Sequence, residues 1–502
     1  MAFLSLGPVA SHVLILVVAM CNICILSYDA GMINNLNTVK PFVEHFHLNS
    51  DLTGLNSAIV SAGCIFGGPM VGPIVDRWGR KAGLGVASVC IIFGVILQAS
   101  ASSAVQLIIG RFIIGFATLI NGSVAPIWVM ELASPKYRSM LSSSTVVSVP
   151  FASFLVACII LGTFDKKSDW AWRGVMLGEA VPSVLSLCLL PLVDESPRWL
   201  FAKGRREEGI DILARLHANG DRHNSMIVSE VQEILSALAS EKQSDGGWKE
   251  LITPFPNLKR FGIAVLMNIF YQILGGNMIL YFSSYVIANL GIQDKRTIIM
   301  INIFLLLWKA GCSVGGIFLL DKIVIGTSAT IVLLALLAGL SNLSDAHPEN
   351  SGFAIGAIIV VALFLMAVST SWMLLAYTYP AEILRYSQRA KGVVAAQSIG
   401  YAFSFLNLYT APLAIEKIAW RYYAINASWN VGILAIVIWL FVETKGRTLE
   451  EMDELFDGTV HKDGVIMGHY SHTKLRQEES VYLGSLPSGS LLMTSTNSTN
   501  RD

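Results

Sequence analysis

Apolar residues fall in twelve long runs along this chain, at about 9–30, 53–75, 82–102, 105–130, 141–163, 172–193, 260–284, 298–320, 322–342, 353–380, 390–412 and 422–442. Each is close to the roughly 20 residues that a helix needs to cross the hydrocarbon core of a bilayer. Short polar stretches separate them, so the pattern predicts twelve membrane helices. They group as six and six around one long polar segment. Within that segment, "EEGIDILARLHANG" and "SEVQEILSALASEK" repeat apolar residues at helical spacing. Short amphipathic helices on a membrane face are expected there. The last stretch is rich in Ser, Thr, Asn and Gly and reads as a disordered tail. The division expected is a six-helix bundle over 1–193, a cytoplasmic linker over 194–259, a second bundle over 260–456 and a cytoplasmic tail over 457–502.

Composition fits this pattern. Of 502 residues, 54% are hydrophobic and 14% charged, against about 25% charged in soluble proteins. The class is an all-α, polytopic membrane protein with the lipid bilayer as its solvent. Formal net charge is zero, so no nucleic-acid partner is expected. The seven cysteines all sit in apolar runs and read as small packing residues; Cys21 and Cys24 form a C-x-x-C with no redox-domain pattern around it. No cleavable signal peptide is evident, because the first run is long enough to span and no A-x-A-like site follows it. No nucleophile–base pair, metal cluster or nucleotide loop stands out, so no enzyme activity, cofactor or metal is expected.

Lysine and arginine set the orientation. With the N-terminus inside, inner loops before the tail carry about 19 basic residues and outer loops about 8, and the basic side faces the cytoplasm. The short stretches "DRWGRK", "PKYR" and "RYSQRAK" are all inner. Both termini are therefore expected in the cytoplasm, in a plasma-membrane protein. Two six-helix halves joined by a cytoplasmic segment match the two-half design of secondary transporters, with a solute site near mid-depth between the halves. No pore-loop segment points to a channel. No G-x-x-x-x-G-K-[ST] loop points to an ATP-driven pump. Helix backbones are expected to approach closely at the small-residue pairs Gly63/Gly67, Gly68/Gly72 and Gly311/Gly315.

Lys309 stands out inside "NIFLLLWKAGCSVGGIFLLDK". About 11 residues, or ~16 Å, separate it from either polar end. A charge there costs roughly 2.5–3.5 kcal/mol on insertion scales, so it must face something better than lipid.

Several stretches resemble one family. "GGPMVGPIVDRWGRK" (67–81) is similar to the loop between helices 2 and 3 of the major facilitator superfamily. "GRFIIGFATLINGSVAPIWVMELASPKYRS" (110–139), "DESPRWLFAKGR" (194–205) and "VETKGRTLEEMDELF" (442–456) narrow the resemblance to the sugar porters. "YTYPAEILRYSQRAKG" (377–392) and "APLAIEKIAWRYY" (411–423) look most like the fungal lactose-permease-like and hexose branch. The resemblance implies twelve helices in two pseudo-symmetric bundles that move a solute by alternating access, in a monomer. It also implies ion pairs at a cytoplasmic gate, from Asp76, Arg77, Arg80, Glu131, Arg138, Glu195 and Arg198 in the first half. In the second half the corresponding residues are Asp321, Glu382, Arg389, Glu443 and Arg447. A charge pattern that only sets topology is the bland alternative. After Asp321 the chain reads "DKIVIGTS", without the family's Gly-Arg-Arg, so a weaker gate is expected there.

In the solute cavity the chain departs furthest from the family. Sugar porters bind polyols with amides, which donate and accept, and with aromatic faces. "YQILGGNMILYF" (271–282) keeps Gln272, Asn277 and Tyr281 but has Tyr271 for the first Gln and Phe282 for the last Tyr. Counting from Arg138 puts Val146 where the family has a Gln. Counting back from Glu382 puts Tyr377 at a Trp position without flanking prolines, so a less broken tenth helix is expected. Lys309 falls at a position where the family carries an Asn and is expected to look into the cavity. There it contacts an acidic solute, pairs with Asp29 or Glu179, or is merely hydrated. Asp29 matches the coupling carboxylate of proton-driven members, set near Arg111; a static ion pair is the alternative. Trp308 and Trp372 read as packing or rim aromatics. The substrate-binding set expected is Tyr271, Gln272, Asn277, Tyr281, Lys309 and Tyr377, and the proton-coupling pair Asp29 and Arg111. The function expected is secondary transport of a sugar or sugar-like solute with H⁺. The alternatives are a transport-poor sensor and a carrier of a sugar acid or other small metabolite.

Overall fold

The computed structural model describes residues 7–134, 138–166, 168–243, 248–316, 323–385, 388–442 and 456. Among them every regular element is helical. The first six membrane helices are α1 (Pro8–Leu36), α2 (Ser50–Trp78), α3 (Arg80–Ala99), α4 (Ala104–Leu132), α5 (Arg138–Thr163) and α6 (Trp170–Leu192). The second six are α7 (Phe255–Asn289), α8 (Lys295–Gly316), α9 (Ile323–Ala346), α10 (Ser351–Ile383), α11 (Arg389–Ile418) and α12 (Arg421–Leu440). Eleven are long and apolar enough to cross a membrane. The twelfth, α11, has the length but is more polar, because it packs along α2 and carries Gln397, Ser404 and Asn407 inward, all buried. The twelve-helix fold expected from the hydropathy pattern is the one observed.

Local chemistry sets the helix ends. Asn49 Oδ1 accepts from Leu52 N at 2.8 Å to start α2, and Ser103 Oγ from Gln106 N at 3.3 Å to start α4, satisfying N–H groups that the helix leaves unpaired. Gly79 ends α2 with φ +97°, a conformation that L side chains resist. A Cβ there would also lie 2.3 Å from Glu195 Oε2, so Gly79 makes room for that carboxylate.

Glycine also decides which helices touch. A Cβ on Gly63 would fall 2.2 Å from Phe112 O, one on Gly67 2.4 Å from Phe116 O, and one on Gly115 2.1 Å from Val60 O. The α2 and α4 backbones are therefore in contact. Gly68 instead leaves room for the Ser398 side chain of α11. Gly72, Gly311 and Gly315 differ from the expectation: nothing described lies within 4 Å of a Cβ at any of them, so no neighbouring helix exploits their small size.

The side that carries the segment between α6 and α7 is called here the linker side. It contains the helices Pro197–Ala202, Arg206–His217 and Ser225–Gln243. They share a small core of Phe201, Leu213, Ile227 and Val231. On the far side, Phe42 and Phe46 of the short helix Lys40–Phe46 pack edge-on against Trp172. The α10 helix runs unbroken from Ser351 to Ile383, across Pro380.

Candidate functional site

The break falls in α7. Gly275 takes φ +108° and Phe282 leaves helical geometry, so α7 is two helices end to end, Phe255–Ile273 and Gly276–Asn289. The carbonyls freed at the break find partners on neighbours. Asn407 donates to Gln272 O at 2.8 Å, Trp429 to Ile273 O at 3.0 Å and Asn430 to Leu274 O at 3.0 Å. Asn407 therefore braces the break, and its Oδ1 in turn accepts from the Tyr422 hydroxyl at 3.1 Å.

Beside this break lies a narrow cavity lined from both halves. The first half supplies Leu26, Thr118, Gly122, Val146 and Val149, and the second Asn268, Tyr271, Gln272, Gln397 and Tyr401. Polar lining is concentrated in the second half, while α5 offers valines. Val146 packs toward Met373 and Tyr271, an apolar wall where a Gln would have supplied both donor and acceptor. A smaller space adjoins it, lined by Tyr271, Gly276, Asn277, Lys309, Ser369 and Met373 among others. Tyr271 lines both. Asn277 donates to Gln272 Oε1, so those two amides are already coupled. Tyr281 lies buried within reach of the field of Asp29 and Arg111. The Tyr377 side chain is outside the described residues.

Lys309 is 7% exposed and faces the smaller space. Asp29 and Glu179, its candidate partners, are engaged elsewhere. Asp29 forms a two-pronged pair with Arg111, at 2.9 and 3.0 Å, and Arg111 Nε also donates to Asn56 O at 2.8 Å. Both side chains are fully buried. Glu179 Oε2 accepts from Gln98 at 2.6 Å, and Glu179 lies close enough to the Asp29–Arg111 pair for the charges to act on one another. Trp372 is buried and donates to Thr327 at 3.0 Å, and Trp308 donates to Ala362 O at 3.0 Å; both pack rather than line the cavity.

The expected gate charges gather on the linker side. Arg80 holds Glu131 through two bonds of 2.9 Å, joining α3 to α4. Glu195 Oε1 accepts from the backbone N–H of Arg80 and Ser196 at 2.9 Å, at the start of α3. Burial pushes the Glu195 carboxyl above the usual range, and those backbone donors and Arg80 pull it partly back. Arg138 pairs with Glu230 at 3.3 Å. Arg77 lies over Trp78 at 5.7 Å, and Asp76 is exposed with its carbonyl accepting from Trp199. In the second half, Arg389 lies within the field of Glu382 and of Arg198. Asp321, Glu443 and Arg447 lie outside the described residues. Arg80–Glu131 and Arg138–Glu230 thus tie the first half to itself and to the linker helices.

Two features escaped the sequence reading. One is a latch between linker and bundle: His217 Nδ1 is 2.9 Å from Glu230 Oε2 and Nε2 is 3.1 Å from Leu132 O. The other is a polar seam that joins the two halves on the far side. Asn34 donates to Ser283 Oγ at 2.7 Å and accepts from Ser284 N at 3.1 Å, and Asn302 donates to Ser284 Oγ at 2.8 Å and Asn35 Oδ1 at 3.3 Å. Ser61 and Ser404 add a bond of 3.1 Å between α2 and α11. The only sequence signal was a clustering of small polar residues inside apolar runs, "MINNL" and "FSSY".

The family model described as "Sugar (and other) transporter" matches residues 14–456. A high-affinity glucose transporter of Kluyveromyces lactis is 26% identical over 453 residues, covering 86% of this chain and 82% of its own. The MFS-type transporter oryC of Aspergillus oryzae is 26% identical over 448 residues, with the same coverage. The sugar transporter STL1 of Saccharomyces cerevisiae is 24% identical over 491 residues, covering 93% and 85%. Among solved structures, the proton:xylose symporter XylE bound to 6-bromo-6-deoxy-D-glucose superposes with TM-score 0.75 at 23% identity, over 89% of this chain and 99% of that one. The inward-open conformation of the E. coli protein gives 0.71.

Proposed function

This chain belongs to the sugar (and other) transporter family of the major facilitator superfamily, and from that premise we propose that it is a secondary transporter of a sugar or sugar-like solute. The two halves alternate access to the cavity between them, and H⁺ moves with the solute. The observation that carries this reading is the cavity lined by both halves, with amide and phenol groups on one wall. Such groups donate and accept, as hydroxyls require. Tyr271, Gln272, Asn277, Tyr281, Lys309 and Tyr377 contact solute in this reading. The far-side seam of Asn34, Ser283, Ser284 and Asn302 closes one entrance.

Coupling is assigned to Asp29 and Arg111. A carboxylate held by a guanidinium through one hydrogen bond and a second close ionic contact in a dry interior stays charged only while Arg111 stays in place. Water reaching the pair as the halves move lets Asp29 take up a proton and release Arg111. The linker-side groups Arg80, Glu131, Arg138, Glu195, Arg198, Glu382 and Arg389, with Asp76, Arg77, Asp321, Glu443 and Arg447, form the cytoplasmic gate in this reading. Both termini lie in the cytoplasm, residues 194–259 act as a cytoplasmic brace, and the protein works as a plasma-membrane monomer. The relatives named as glucose transporters support a hexose-like solute.

The test is uptake of radiolabelled hexoses, disaccharides and sugar acids into proteoliposomes, with and without an inward proton gradient. Solute-specific accumulation that collapses with the gradient supports the whole reading. Uptake insensitive to the gradient removes H⁺ coupling, and no uptake of any sugar or sugar acid rejects the transport reading.

A further inference from the structure

The smaller space beside Tyr271 brings together three groups suited to one negative charge. Lys309 is more than nine-tenths buried and faces it, and no carboxylate or hydrogen-bond partner of its ammonium is found among the described residues. Asp29 is held by Arg111 and Glu179 by Gln98. Ser369, on the same wall, is fully buried and its hydroxyl has no hydrogen-bond partner. The 14-residue helix Gly276–Asn289 begins at this wall, with Gly276 and Asn277 lining it. Its first N–H groups lack helical acceptors and its dipole favours an anion at that end. A buried ammonium left unpaired carries a large desolvation cost, and a bound anion at this spot offsets it.

We propose that this space is an anion subsite and that the transported solute is a polyhydroxy acid, an aldonate or a uronate. The inference rests on the transport reading above and names its solute class. The carboxylate sits against Lys309, Ser369 and the helix start at Gly276. The hydroxylated body extends past Tyr271 into the larger cavity, where Gln272, Gln397 and Tyr401 supply donors and acceptors. One lysine balances one carboxylate. A phosphate ester would bring a second charge that nothing described on this wall matches, so a monoanion is favoured.

The experiment uses the full chain in proteoliposomes, with D-gluconate, D-glucuronate and D-glucose as probes, in wild type, Lys309→Gln and Ser369→Ala. Wild type is expected to favour at least one acid over glucose by about tenfold in kcat/KM. Lys309→Gln is expected to lose about tenfold or more of the preference for that acid over glucose, and Ser369→Ala a few-fold of it, as charge-assisted hydrogen bonds are removed. Thermal shift of purified wild type adds a readout that needs no variant: the acid, not glucose, raises Tm, because a ligand bound only to the folded state stabilises it. If wild type moves glucose and neither acid, or if Lys309→Gln affects acid and glucose alike, the subsite is wrong and the transport reading survives. If folded wild type moves none of the three, the subsite falls, and the transport reading falls with it if the wider panel of hexoses, disaccharides and sugar acids is not taken up either.

Discussion

Asn34 bonds the second half of the molecule twice, donating to Ser283 Oγ at 2.7 Å and accepting from the Ser284 backbone N–H at 3.1 Å. One side chain of α1 thus reads both a hydroxyl and a main-chain donor of α7. Each such bond is worth about 0.5–1.5 kcal/mol net, so losing both shifts a two-state balance by roughly 1–3 kcal/mol. Asn34→Val is expected to open the far side. Spin labels at Asp51→Cys and Gln293→Cys, in a background lacking the native cysteines, should show a longer-distance population that wild type lacks. An unchanged distance distribution would mean that apolar packing, not this seam, closes that entrance.

Asp29→Asn is expected to abolish pH-driven accumulation while solute exchange persists. The variant keeps an acceptor for Arg111 but cannot take up a proton. The measurement is counterflow alongside gradient-driven uptake in the same vesicles. Accumulation equal to wild type would reduce the Asp29–Arg111 pair to a structural tie.

Gly63→Ala is expected to destabilise the protein, because its Cβ meets backbone atoms, Phe112 O at 2.2 Å and Phe116 N at 2.7 Å. Main chain cannot retreat as a side chain can, and overpacking costs about 1–3 kcal/mol. Gly72→Ala meets nothing within 4 Å and is the matched control. Tm and the monodisperse yield in detergent check both; equal behaviour of the two variants would show that the α2–α4 contact has slack.

The pH dependence of stability should carry a signature of Glu195. Its carboxyl lies above the usual range because of burial. A carboxyl with a raised folded pKa contributes stability below its unfolded value, near pH 4.3, and loses it as pH rises through the folded value. Glu195→Gln stays neutral and keeps an oxygen for the N–H groups of Arg80 and Ser196. Wild type is therefore expected to lose Tm relative to the variant as pH rises from about 4 to about 7. Thermal unfolding of both proteins across that range checks it, and a pH-independent difference would place Glu195 at its unfolded pKa.

Much of the architecture was legible in the sequence because a bilayer admits few solutions. Backbone groups in lipid must be satisfied within the segment, so each apolar run of sufficient length becomes a helix. Even α11, whose buried Gln397, Ser404 and Asn407 dilute its apolarity, was visible by length. The linker-side charges were legible as a cluster, since Arg80, Glu131 and Glu195 bracket helix ends. Their partners were less so: Arg138 meets Glu230, which lies 92 positions further along the chain. The seam was missed because Asn and Ser within an apolar run announce burial but not the neighbour they bond.

By itself, then, the sequence determined the number of spans, the six-plus-six grouping and the residues that need shelter from lipid, because hydropathy and charge act segment by segment. Only the tertiary structure decided that α7 breaks, at a left-handed Gly275 whose freed carbonyls are taken up by Asn407, Trp429 and Asn430. It also decided that Arg111, not Lys309, holds Asp29. Those outcomes depend on which helix faces meet, and contacts between residues 82 to 156 positions apart leave no period or spacing in a single chain.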